Sequence, residues 1–237
     1  MIGAGCLSSP ACVCSLLRLP RQGAPRRATP ARRLGAALLP RRGFDAIKAA
    51  LRDDPPASRM DALLIVDMQL GLLRGAPKHD LTGVVDRINR LMARVRAASG
   101  AVIFVRHCGR AGEEFAPHTP GWEFLPELQR HPADVVVEKT LNDAFAGTDL
   151  KARLQSMAPD RLLISGWATD FCVDATVRAA VSHGYSVLVA ADGHTVSDRP
   201  HLDARTIIRH HNWLWSNLIT ARSIRVVGAH ELLADMD

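Results

Sequence analysis

Aromatic residues are scarce in this chain, at 5% of 237 residues with a single tyrosine, while 47% of the residues are hydrophobic. Any core it builds is therefore aliphatic, and the length suits one mid-sized α/β domain without need of a second. Long apolar runs are missing too. The pieces at 14–17 and 34–39 are much too short to span a bilayer. Cysteine is sparse: beyond residue 44 only Cys108 and Cys172 occur, too few for a disulfide framework and in keeping with a reducing, cytoplasmic compartment. Basic charge is also missing from most of the chain, although the formal net charge is +6. Residues 1–44 hold eight arginines, no lysine and no acid, and the remainder carries 22 basic against 24 acidic residues. With the excess confined to one end, neither nucleic acid nor a membrane surface is expected as a partner.

The Arg-rich segment also contains Cys6, Cys12, Cys14 and five prolines. Two readings of it stay open. An Arg-rich, acid-free start resembles an organelle transit peptide, yet it has few serines and its prolines interrupt any long amphipathic helix. Translated GC-rich sequence upstream of a later start would carry the same bias, and Met60 directly precedes the first clear strand. Asp53-Asp54-Pro55-Pro56-Ala57-Ser58 marks the boundary, because a double proline cannot continue a helix. The expected division is a leader over 1–59 and one domain over 60–237.

Past the boundary, short aliphatic runs alternate with helical patterns. Strands are predicted at Ala62 to Val66, Ala101 to Val105, Val135 to Val137, Leu162 to Ile164, Val187 to Ala190 and Ile224 to Val227. Helices are predicted at Leu81 to Ala98, Leu150 to Met157, Phe171 to His183 and Leu202 to Thr220, with a short one at the C-terminus. Runs apolar on both faces and separated by helices indicate a six-stranded parallel sheet covered on two sides. The stretch from His107 to Asp134 has no strong period and is expected as a loop or lid over the sheet edge.

Leu162 to Val173 is the most informative segment, reading as a buried strand that runs through Gly166 into a cysteine at a helix start. Val173, Thr176, Val177 and Ala180 make the apolar face of that helix, while Asp174 and Arg178 pair four residues apart. Cys172 then sits in the first turn, where free backbone N–H groups and the helix dipole favour a thiolate and lower the thiol pKa. Ligands of open parallel sheets bind outside the carboxyl ends of the strands. The first strand ends in Asp67, the third in Glu138-Lys139, and the fourth leads to Cys172. Singly, each has a dull explanation as a turn cap, a solvated charge or packing. Together they supply a nucleophile, a base and a cation at one edge.

Asp67-Met68-Gln69 after an aliphatic strand, Lys139 ahead of Ala144-Phe145 and Gly147-Thr148-Asp149-Leu150, and Gly166 to Val173 with Thr176 and Arg178 together resemble the isochorismatase-like cysteine hydrolases. The resemblance runs from about Ala62 to Gly228. It implies a three-layer αβα sandwich around a six-stranded parallel sheet and a triad in which Asp67 is general base, Lys139 orients and balances charge, and Cys172 attacks a carbonyl to form an acyl-thioester. It also implies a cis peptide at Trp167-Ala168 and an oxyanion hole made by the N–H groups of Ala168 and Cys172, along with a homo-oligomer as the working state. Nicotinamidases of the superfamily add a metal site whose ligands include Asp-x-His after the second strand. Here that position reads Val105-Arg106-His107-Cys108, and His79, His107, His118 and His131 share no spacing, so no metal and no cofactor is expected.

Isochorismatases proper need no cysteine, so Cys172 favours an amide, lactam or carbamoyl substrate. The Trp122 loop, the Phe145 to Thr148 turn and His210-His211-Asn212-Trp213 are similar to the streptothricin hydrolase-like branch. Trp122, Phe145, Trp167 and Phe171 are the candidate apolar walls of a substrate pocket, against the plainer reading of core aromatics. A nicotinamidase- or isochorismatase-type hydrolase, a non-catalytic binding protein on the same fold, and a thiol redox protein using Cys108 with Cys172 remain as alternatives.

Overall fold

A computed structural model of the protein describes residues 60–236; the leader expected over 1–59, with Cys6, Cys12 and Cys14, lies outside the described residues. Strands β1 (Asp61–Val66), β2 (Ala101–His107), β3 (Val135–Lys139), β4 (Arg161–Trp167), β5 (Val187–Thr195) and β6 (Ile224–Val227) form one sheet. Its order is β3-β2-β1-β4-β5-β6, and every pairing is parallel. The chain order therefore reverses direction between β1 and β4, which opens a crevice at their carboxyl ends.

Six consecutive residues of β1 are buried because both of its faces are covered. Leu63 and Ile65 join one apolar layer with Val84, Val85, Ile88, Leu91, Met92 and Val95 of helix α2 (Leu81–Ala97). A one-turn helix, α1 (Leu70–Leu73), precedes it. Ala62, Leu64 and Val66 face the opposite layer with Leu150 and Leu154 of α3 (Leu150–Met157), Val177 and Ala180 of α4 (Asp174–Ser182) and Trp215 of α5 (Ala204–Ser216). The last helix, α6 (Ala229–Ala234), returns to the α2 side, where Ala229 and Leu232 are buried. Among the described residues no helix is long and apolar enough to cross a membrane.

Of the two forms expected for the stretch after β2, a loop or a lid, the structure shows a packed loop. Trp122, Phe124, Leu125 and Leu128 are all buried, and Leu70 N–H and Leu125 N–H bond to the carbonyls of Glu123 and Met68. Its apolar side chains thus belong to the core, so the segment is a fixed wall. At the opposite, amino-terminal end of the sheet, Asp61 of β1 and Arg161 of β4 are register partners and form a buried bidentate pair, with contacts of 2.7 and 2.6 Å.

Candidate active site

Asp67 is the first residue beyond β1. Its backbone turns to φ 52°, while its N–H still donates to the Val105 carbonyl at 2.9 Å, which fixes it over the crevice. Gln69 locks the same corner. Its amide donates to the carbonyls of His107 and Trp122 and accepts from His107 N–H at 2.7 Å, tying the ends of β1 and β2 to the loop. Lys139 closes β3 and reaches inward. Its Nζ donates to Asp67 Oδ2 at 2.6 Å, the Leu141 carbonyl at 3.0 Å and Cys172 Sγ at 3.3 Å. Both members of the Asp67–Lys139 pair have fully buried side chains.

Gly166 makes the approach of β4 possible. It sits at φ +126°, and a Cβ there would fall 2.2 Å from the Val66 carbonyl oxygen, so only glycine fits. The Trp167–Ala168 peptide that follows is cis. Here the structure departs from the expected helix start. Residues Thr169–Val173 form a π-helical turn, in which the Ala168 carbonyl accepts from both Phe171 and Val173 N–H, and α-helix begins only at Asp174. Cys172 therefore lies in a wide turn leading into α4. The thiol donates to Asn142 Oδ1 at 3.6 Å.

The expected lowering of the thiol pKa is reversed. Burial, reinforced by the negative charge of Asp67 and only partly opposed by Lys139, pushes Cys172 up to about 12. Burial also raises Asp67, against the pull of Lys139. The resting thiol thus keeps its proton beside the buried Asp67–Lys139 pair. Asp67 Oδ1 is buried and has no hydrogen-bond partner among the described residues, which leaves one carboxylate oxygen able to receive a proton.

A cavity of about 220 Å³ opens onto Cys172 and is lined by Asp67, Leu72, His107, Phe115, Trp167 and Phe171, among others. Trp167 and Phe171 are where the sequence suggested. Trp122 and Phe145 are not. Trp122 is buried under the Arg106 guanidinium, 3.3 Å from its ring centre, with its N–H directed to Cys108 Sγ at 3.4 Å. Phe145 packs against His183 and Tyr185 in the aliphatic layer. Both bury their large apolar surface in the core instead of lining the cavity.

The cavity wall also holds residues outside the expected set, the apolar Leu72 and Phe115 and three polar ones, His107, Asn142 and Arg199. His107 ends β2, with Nδ1 3.5 Å from Lys139 Nζ, and burial together with that cation lowers its pKa. Asn142 follows Lys139 by three residues. Arg199 lies in the loop after β5, holds Asp170 through two 2.8 Å bonds and covers the Phe171 ring at 5.0 Å. Extending the strand-end rule to β2 finds His107; the other two sit in loops that no periodicity marks. Cys108 and Cys172 are both free thiols. Among the described residues no three His, Cys, Asp or Glu side chains are grouped to hold a metal ion.

This is a doubly wound, parallel-sheet protein with an acid, an amine and a thiol gathered at the switch point of its sheet. Comparison with known proteins supplies the family: an isochorismatase domain profile matches residues 61–222, and the chain belongs to the isochorismatase family. A streptothricin hydrolase of Streptomyces noursei is 37% identical over 142 residues, covering 60% of this chain and 51% of that protein. YecD, an uncharacterized isochorismatase family protein of Escherichia coli O157:H7, is 30% identical over 191 residues, covering 74% of this chain and 96% of YecD. A solved isochorismatase from Pseudomonas putida KT2440 aligns with a TM-score of 0.68 at 27% identity, covering 78% of this chain and 96% of that one. The chain spans about half the length of the two streptothricin hydrolases it matches, 51% and 56%.

Proposed function

We propose that the protein is a metal-independent cysteine amidohydrolase that cleaves a C–N bond of a small amide, lactam or carbamoyl compound through an acyl-thioester on Cys172. The observation that carries this reading is the position of Lys139 Nζ, 2.6 Å from Asp67 Oδ2 and 3.3 Å from Cys172 Sγ, inside a buried site. One cation there stabilises two anions in turn, the carboxylate at rest and the thiolate as it forms.

As Sγ bonds to the substrate carbonyl carbon, its proton passes to Asp67. The carbonyl oxygen gains the negative charge, which the N–H groups of Ala168 and Cys172 receive; such donors contribute about 3 kcal/mol each in comparable sites. Asp67 then gives the proton to the leaving nitrogen and the C–N bond breaks; ammonia or an amine departs, or, from a lactam, the amine stays tethered to the opened acyl chain. Water attacks the thioester, its proton returns through Asp67 to sulfur, and a carboxylic or carbamic acid leaves. A thiol that keeps its proton until attack suits this order, because no unshielded thiolate has to persist in a buried site. Trp167 and Phe171 give the apolar walls for the body of the substrate.

The test is a panel of amides, lactams and ureido compounds, with streptothricin included because a relative is named for it, followed by ammonia or acid release. Cys172→Ala is expected to abolish turnover of any active compound while unfolding as cooperatively as the parent. Turnover by that variant near the parental rate would overturn the assignment.

A further inference from the structure

Helix α5 grips the turn that carries Cys172 from both sides. After the cysteine, Trp215 Nε1 donates to Asp174 Oδ1 at 2.8 Å. Before it, Asn212 reaches Thr169 through His194, which lies near the end of β5 in register with Gly166 and is 1% exposed. His194 Nδ1 is 2.9 Å from Thr169 Oγ1, and its Nε2 is 2.9 Å from Asn212 Oδ1.

The direction of every bond in this chain is determined. Asn212 Nδ2 donates to the Ala191 carbonyl at 2.8 Å, so its amide oxygen is the atom facing His194. That oxygen can only accept, which puts the imidazole proton on Nε2 and leaves a lone pair on Nδ1. The Thr169 hydroxyl must therefore donate to Nδ1. Burial, including the edge contact with Trp215 at 5.0 Å, keeps the ring neutral. Neither His194 nor Thr169 lines the cavity that holds Cys172. Thr169 follows Ala168 directly, and because a β-branched side chain has few rotamers, holding its hydroxyl holds its backbone.

We propose that His194 is a positioning residue: as an acceptor for the Thr169 hydroxyl it fixes the backbone beside Ala168 and so aims the Ala168 N–H at the oxyanion, without touching substrate. This rests on the acyl-enzyme reading above. It makes a prediction specific to oxyanion chemistry, since steps that form no oxyanion should not feel the loss of His194.

The full-length protein is tested with two probes of Cys172. p-Nitrophenyl acetate acylates sulfur through a tetrahedral oxyanion and releases p-nitrophenolate. Iodoacetamide alkylates the same sulfur at a saturated carbon, releasing iodide, with no oxyanion. Modification is followed at the Cys172 peptide by mass spectrometry, and folding by cooperative unfolding. His194→Gln keeps an amide near Nε2 for Asn212 and gives up Thr169; His194→Asn keeps an oxygen near Nδ1 for Thr169 and gives up Asn212. Acylation should slow by about 10- to 100-fold in His194→Gln and in Thr169→Val, with alkylation within about twofold of the parent. His194→Asn and Thr169→Ser should recover most of the acylation rate. If His194→Gln does not fold, the Thr169→Val and Thr169→Ser pair carries the test. Parental acylation in the Gln and Val variants would overturn the inference, as would a parallel loss of acylation and alkylation, which reports general damage to the site. A parent whose Cys172 is alkylated but never acylated would overturn the acyl-enzyme reading itself, and this inference with it.

Discussion

Replacing Asp67 by asparagine should make Cys172 more acidic and the enzyme far slower. In the native site Asp67 Oδ2 and Cys172 Sγ flank one Nζ at 2.6 and 3.3 Å. They can therefore be no farther apart than about 5.9 Å, where a unit charge at an effective dielectric of about 20 opposes the thiolate by about 3 kcal/mol, or about 2 pK units. Asp67→Asn removes that opposition and leaves the Lys139 ammonium wholly to the sulfur, so the thiol should fall from its value of about 12 by at least that much. Near neutral pH the thiolate fraction then rises about 100-fold, and the lower intrinsic nucleophilicity of a more acidic thiol trims the net gain in alkylation to about tenfold. Turnover moves the other way, by about 10³-fold, because nothing remains to take the thiol proton and deliver it to the leaving nitrogen. Iodoacetamide rates at Cys172 across a pH series, set beside turnover of an active amide, measure both. An alkylation profile that does not shift toward acid would refute the electrostatic account; retained turnover would refute the base assignment.

Gly166→Ala should cost about 3 kcal/mol or more in urea unfolding, because its Cβ would meet the Val66 carbonyl at 2.2 Å and its φ of +126° is closed to alanine; a near-neutral result would show that β1 and β4 can part there. His194 is buried neutral, with its pKa taken from 6.5 to about 4. Between those values the unfolded chain binds the extra proton, so stability should decline as pH falls from 6.5 to 4, by about 3 kcal/mol in all, with the full contribution present above that window. His194→Asn should flatten this dependence in urea titrations, and an equally steep decline in the variant would assign it to other groups. Exhaustive chelation should leave turnover of an active amide unchanged, whereas loss of activity restored by a stoichiometric divalent metal would overturn the thiol-only mechanism.

The strand interiors were legible in the sequence because strands covered on both faces need unbroken aliphatic runs. Their ends were less so. β2, β4 and β5 run on to His107, Trp167 and Thr195, past the last aliphatic residue, and two of these ends, His107 and Trp167, line the crevice. Asp67, Lys139 and Cys172 are legible because each lies at or just beyond a strand end; His107 is less so because the aliphatic run of β2 stops at Val105, two residues before it. Asn142 and Arg199 take their places from tertiary packing. The acidity of Cys172 is not legible from its local position: a helix terminus is worth about 0.3–1 kcal/mol, while desolvation and one buried neighbouring charge are each worth several times that. Trp122 and Phe145 depart from the expected pocket walls because, in a chain so poor in aromatics, the core takes both.

The buried Asp61–Arg161 pair lies six residues from Asp67 along β1, about 20 Å from the chemistry. It nonetheless serves as a frame mark for the site. Ala62 to Val66 and Leu162 to Ile164 are almost uniformly aliphatic, so a slip of two residues between β1 and β4 would keep every side chain on its proper face and lose little burial. The apolar pattern does not forbid that misalignment. Charge does: the slip would set Arg161 opposite Leu63 and strand two buried ions, at about 3–5 kcal/mol. The same slip would carry Gly166 away from Val66 and Cys172 away from the acid it must meet. The spacing of acid and thiol at one end of the sheet is thus proofread at the other, and a defect in the distal pair should surface first as misregistered, inactive protein.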